Sequence, residues 1–225
     1  MAIIEGGVSG SLTGVGSENA NGLHIISKPQ AYGTLGHYQV AVQTGAIGAG
    51  MAANGELFQL RWTDSTRLCL IQKISCNGII ATTAFAAGAL TVRASIARSW
   101  SASGTGGTAL TLTGDQASLR TSMGASLVGD ARVSTTAALG AGTKTLDTQD
   151  IGMITSHTSA GTSAATPIVG SVFLPVSDLF ECDVADGEHP IVLAQNEGIV
   201  IRATVPATGV WTAGFTIKWA EVAAF

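Results

Sequence analysis

Charge is what this sequence has least of. Asp, Glu, Lys and Arg make up 12% of the 225 residues, about half the usual share of a soluble domain. An isolated soluble enzyme keeps a better-charged surface for solubility. A chain this neutral fits one that buries much of its exterior against neighbours. Basic residues are the scarcer sign, with 11 Lys and Arg against 15 Asp and Glu and a net charge of −4. No basic stripe is present, which argues against nucleic acid as a partner. The five prolines are scattered, so no proline-rich linker divides the chain. Cysteine is limited to Cys69, Cys76 and Cys182, and an odd number without paired spacing makes no disulfide framework. Cys69 and Cys76 lie in an apolar run and read as small buried hydrophobes. That usage fits synthesis in a reducing compartment such as a cytoplasm. Ile79 to Leu90 is strongly apolar, but Thr82, Thr83 and Gly88 interrupt it, and it is too short to span a bilayer. The start, Met1 to Gly7, lacks the basic and apolar regions of a secretion signal. The expectation is a soluble protein with no membrane partner.

Small residues and alternation are what the sequence does have. Residues 1–30 are rich in Gly, Ser and Asn, as in Gly10-Ser-Leu-Thr-Gly-Val-Gly-Ser17. Such a stretch builds no core of its own, and it reads as an extended N-terminal arm that orders on a neighbouring subunit. Residues 31–225 read as a single domain. From about residue 55 the period is two. Phe58, Leu60 and Trp62 share one face, and Thr63-Asp-Ser-Thr66 follows as a turn cluster. Arg67 to Cys76 is a second strand with Leu68, Leu70 and Ile74 on one face, and Asn77-Gly78 gives a hairpin signal. Leu90, Val92, Ala94 and Ile96 alternate inward. Residues 115–125 have room for a helical turn or two, and 126–165 read as a long loop-rich excursion with short strands. Further strands are expected at Ile168–Leu174, Pro190–Ala194 and Ile199–Val205. The clearest alternation is Trp211, Ala213, Phe215, Ile217 and Trp219. Many short strands with turns between them and almost no helical period predict an all-β, antiparallel β-sandwich, jelly-roll-like in its long excursions.

No chemistry-bearing constellation emerges. His24, His37, His157 and His189 are far apart and in no metal-ligand spacing. Asp178, Glu181, Asp183, Asp186 and Glu188 crowd into one stretch, but without the alternation of a calcium loop, and they read as a solvated acidic turn. Gly104-Thr-Gly-Gly107 lacks the Lys-Ser/Thr of a phosphate loop, and no G-x-S-x-G elbow occurs. Trp62, Trp211 and Trp219 are in phase with apolar faces and read as core. Trp100, at a strand end, is the one aromatic placed to stack on a sugar. No catalytic, metal or cofactor-binding residue is therefore assigned, and the chain is expected not to be an enzyme.

Three stretches carry a resemblance. They are Leu57–Ile71 before Asn77-Gly78; Leu119–Ser126 followed by Thr136–Leu139 and Thr145–Asp147; and Pro190–Arg202 followed by Pro206–Gly209 and Phe215–Glu221. Together they resemble a family of tailed-bacteriophage virion proteins over roughly residues 55–221. The resemblance implies a jelly-roll-like structural subunit on the outer surface of the particle, a head decoration (cement) protein acting as a homotrimer. Its partners would be the major capsid protein or other virion proteins. Alternatives are a tail or appendage subunit (fibre, adaptor or receptor-binding) and a glycan-binding or glycan-cleaving protein.

Overall fold

Trp211, Ala213, Phe215, Ile217 and Trp219 form one buried row on a strand that runs Val210–Val222. Successive side chains of a pleated strand point to opposite faces, so a period of two gathers apolar residues on one side. The computed structural model describes residues 4–6, 11–13, 36–48, 50–83, 85–114, 117–158, 172–174, 177–183 and 188–225. In chain order its strands are β1 (Ile4–Gly6), β2 (Ser11–Thr13), β3 (Gly36–Gln43), β4 (Gly55–Trp62) and β5 (Leu68–Thr83). Next come β6 (Gly88–Ala102), β7 (Thr108–Ala109), β8 (Val128–Val133), β9 (Thr143–Leu146) and β10 (Gly152–Thr158). The last are β11 (Val172–Leu174), β12 (Ser177–Glu181), β13 (Ile191–Leu193), β14 (Glu197–Thr204) and β15 (Val210–Val222).

The chain divides into two units, residues 1–30 and 31–225. In the first, β1 and β2 pair antiparallel with Glu5 opposite Leu12. The extended path expected for the remainder of residues 1–30 lies outside the described residues. In the second, the strands form two antiparallel sheets packed as a sandwich. The first sheet runs β10-β6-β14-β4-β8-β7, with β9 also on β6. The second runs β11-β5-β15-β3, with β12 and β13 also on β5. Along the far edge of β5, β13 pairs with Cys69–Ile71, β12 with Lys73–Cys76 and β11 with Ile79–Ile80. The protein is all-β, and no described residue is helical.

The core lies between the two inner faces. Phe58, Leu60, Trp62, Leu90, Val92, Ile199 and Ile201 come from the first sheet. Ile71, Ile74, Cys76 and the β15 row meet them from the second. Burying a large apolar side chain of this kind contributes roughly 1.5–3 kcal/mol. Tyr38 stacks on Trp219 with ring centroids 5.6 Å apart, and its hydroxyl donates to Gly124 O at 2.9 Å.

Several local expectations need correction. Asn77-Gly78 is no hairpin. It lies inside the sixteen-residue β5, where Cys76 opposes Phe215 and Gly78 opposes Gly214, leaving Asn77 unopposed. Gly78 has φ +120°, so the pair supplies a β-bulge, the other use of a residue that tolerates positive φ. A second bulge leaves Gln72 unopposed between Ile71↔Trp219 and Lys73↔Lys218. It reverses the inward phase of the strand. Cys69 and Ile71 therefore join the core ahead of it, while Leu70 turns outward to a small cluster with Ala220 and Val222. Leu68 packs on that outer cluster too, so only Ile74 of the three residues read as one face is on the core side. Residues 117–123 form no helix. Gln39 N–H donates to Ala117 O and Leu119 N–H to His37 O, so the segment lies along β3 and closes one turn from Arg120 to Met123. The stretch read as an excursion carries β8, β9 and β10, each paired into the first sheet; residues 159–165 lie outside the described residues.

Candidate functional site

Trp100, the residue singled out for sugar stacking, is fully buried. It packs with Ala97, Val200 and Leu146 on the outer side of the first sheet, and its Nε1 donates to Ala102 O at 3.0 Å. Ser99 adopts φ +50°, a local reversal in β6 just ahead of Trp100. Trp100 consequently sits with Ala97 and not with Leu90, Val92 and Ala94. No stacking platform is left there.

The acidic stretch is divided among structural tasks. Asp178 and Glu181 on β12 both accept from Lys73 Nζ at 2.9 Å, and Asp178 also accepts from Ser75 Oγ at 2.5 Å. Partial burial pushes the Asp178 carboxyl up, but the Ser75 and Lys73 bonds outweigh it and hold it below its usual range. Glu188 closes the following turn by accepting from Asp183 N–H at 2.8 Å. Asp186 lies outside the described residues. Among the described residues no group of three or more His, Cys, Asp or Glu side chains is placed to hold a metal ion. His37 bonds Gln72 across the second sheet, and burial lowers its pKa. His157 lies exposed on the edge strand β10, His189 meets the Phe225 ring edge-on at 5.0 Å, and His24 lies outside the described residues. Cys69, Cys76 and Cys182 are free thiols, and burial pushes each pKa up, most strongly at Cys69.

Three further polar clusters were not singled out in the sequence. On the outer face of the first sheet, Asp150 accepts from Ser95 Oγ and Arg202 at 2.6 Å each and from Arg93 at 3.2 Å. Burial raises its pKa, but the Ser95, Arg202 and Arg93 bonds bring it below the usual carboxylate value. Nearby, Glu56 Oε2 accepts from Lys144 Nζ at 2.8 Å and from Gln59 Nε2 at 2.5 Å, with Lys144 Nζ 4.6 Å from the centre of the Trp100 ring. In the second sheet Glu221 accepts from Ser126 Oγ at 2.7 Å and from Leu127 N–H at 3.0 Å. Burial dominates there and raises the Glu221 pKa. Burial and then the nearby Glu221 push the Tyr38 phenol up to about 12. The Asp150 and Glu221 clusters each tie a loop to a strand, and the Glu56 cluster ties β9 to β4.

The outer face of the second sheet carries an open groove. A shallow groove of about 350 Å3 is lined there by Ala41, Gln43, Asn77, Gly78, Ile80 and Thr212. Ile80 is 53% exposed on its rim, and Asn77 Nδ2 donates to Thr216 Oγ1 at 2.7 Å beside it. The lining is neutral and mixes amide, hydroxyl and aliphatic groups. No family model, curated protein or solved structure matches the chain. The sandwich spends most of its described charges on fastening its own segments.

Proposed function

We propose that the chain is a non-enzymatic structural subunit of a tailed-phage particle, a head decoration protein that binds neighbouring capsid subunits as a homotrimer. The strand order carries this reading. Leave β7, β8 and β9 aside, take β11 to β13 as one position, and take β3, β4, β5, β6, β10, β14 and β15 as seven more. The second sheet then reads first, eighth, third, sixth, and the first sheet reads second, seventh, fourth, fifth. We read this order as the two Greek keys of a jelly roll, an architecture common in viral capsid domains. Low charge, the uncharged groove on the second sheet and the virion-like stretches of the sequence support the same reading. Lectins and cupins use jelly rolls as well, but the buried Trp100 removes the strongest argument for a sugar. In a symmetric shell many weak contacts multiply into firm attachment.

The deciding measurement is the copy number in purified particles, by quantitative mass spectrometry against the major capsid protein. We expect hundreds of copies per particle. A few to some tens would place the chain in the tail or an appendage, and absence would overturn the structural reading.

A further inference from the structure

We propose that Gln59 and Lys144 become joined side chain to side chain by an amide bond that the protein forms in itself, with Glu56 carrying the protons. The three groups meet at one atom. Glu56 Oε2 accepts from Lys144 Nζ at 2.8 Å and from Gln59 Nε2 at 2.5 Å, so the amine and the amide flank a single carboxylate oxygen. Water is largely excluded. Gln59 is 1% exposed, the Lys144 side chain 2% and the Glu56 side chain 10%. Trp100 closes one side, with Lys144 over its ring. Gln59 Nε2 is fixed a second time by Gly140 O at 3.0 Å, and Lys144 Nζ also donates to Ala141 O.

An ion pair between Lys144 and Glu56 needs no glutamine. Here a glutamine is buried with its Oε1 lacking any donor among the described residues, an arrangement that is costly unless something offsets it. The amide is held by its nitrogen, the atom that leaves in acyl transfer. An amine and an acyl group held in place react at a very high effective concentration, and a carboxylate bonded to both nitrogens is placed as general base and then general acid. Glu56 takes a proton from Nζ along the existing hydrogen bond, and the neutral amine attacks Gln59 Cδ to form the Nζ–Cδ bond. The Cδ–Nε2 bond then breaks. Nζ loses two protons in all, Nε2 gains two and departs as ammonium, and Glu56 ends as the carboxylate it began. No oxidant, metal or co-reactant is required.

The bond would fasten the segment carrying β9 to β4 across the outer face of the first sheet, and it holds whether or not the chain belongs to a particle. The test is the intact mass of the purified full chain under denaturing conditions, followed by peptide sequencing of a digest. We expect a mass lower than that of the sequence by one ammonia, together with a branched peptide linking Gln59 to Lys144. Full sequence mass overturns the proposal. So does a deficit of one ammonia without that branched peptide, as ring closure at Asn77-Gly78 would give. Glu56→Gln is expected to restore the full mass, and a cross-link that persists in it would overturn the role of Glu56.

Discussion

At the scale of single residues, Asp150 shows how a few polar groups set the acid limit of the fold. Its carboxyl titrates below the ordinary 3.8 because the bonds from Ser95, Arg202 and Arg93 outweigh burial. The folded chain thus binds this proton less tightly than the unfolded chain. The stability it contributes is present above about pH 3.8 and is lost as the pH falls through the lower folded value. Asp150→Asn should cost about 1.5–3 kcal/mol at neutral pH, the range for hydrogen bonds to a charged group. It should also flatten the acid limb of stability measured by urea unfolding from pH 7 to pH 2. Glu221 works in the opposite sense: its raised pKa gives stability that is present below 4.5 and lost as the pH rises through the folded value. Parity along the strands made Trp62, Trp211 and Trp219 legible as core. Trp100 was set apart for its place at a strand end, but Ser99 turns the backbone through positive φ and seats it in a buried cluster, and nothing in a serine signals that. The Lys144–Glu56 pair was hidden for another reason: its partners lie 88 positions apart, and only the sheet brings them together.

Among the strands, the same physics separates what could be read from what could not. β14 and β15 were plain because their alternation runs unbroken through Ile199, Ile201 and Ala203 and then from Trp211 to Trp219. β5 was harder, since each of its bulges shifts the phase and a period-two reading carries the error onward. Asn77-Gly78 was assigned to a hairpin turn, and only pairing with β15 distinguishes a bulge from a hairpin. The closed side of the sandwich rests on a glycine that no pattern marks. A Cβ on Gly152 would stand 1.7 Å from Leu179 O, so β10 and β12 approach too closely for any side chain at that point. Gly152→Ala should force these edges apart at a cost of about 1–3 kcal/mol. This would register as a lower urea midpoint at unchanged slope.

For the whole molecule, the class of fold was legible and the distribution of strands between sheets was not. Turn signals and alternation imply a sandwich, but the order within each sheet depends on pairings between distant residues. The two-unit division bears on how the subunit would attach. Removing residues 1–30 should leave the circular dichroism and thermal unfolding of residues 31–225 unchanged while weakening attachment to capsids in a sedimentation assay. Equal attachment would sink the idea of an arm. The strand order also has a bearing on synthesis. β14 lies between β6 and β4, and β15 between β5 and β3, so the middle of each sheet is supplied late in the chain. Until Glu197–Thr204 is made both sheets remain split down their centre, and the second stays split until Val210–Val222 follows. Pairings this remote in sequence are slow to form, and here they come last. A chain stopped before Glu197 leaves both sheets split and exposed to proteases.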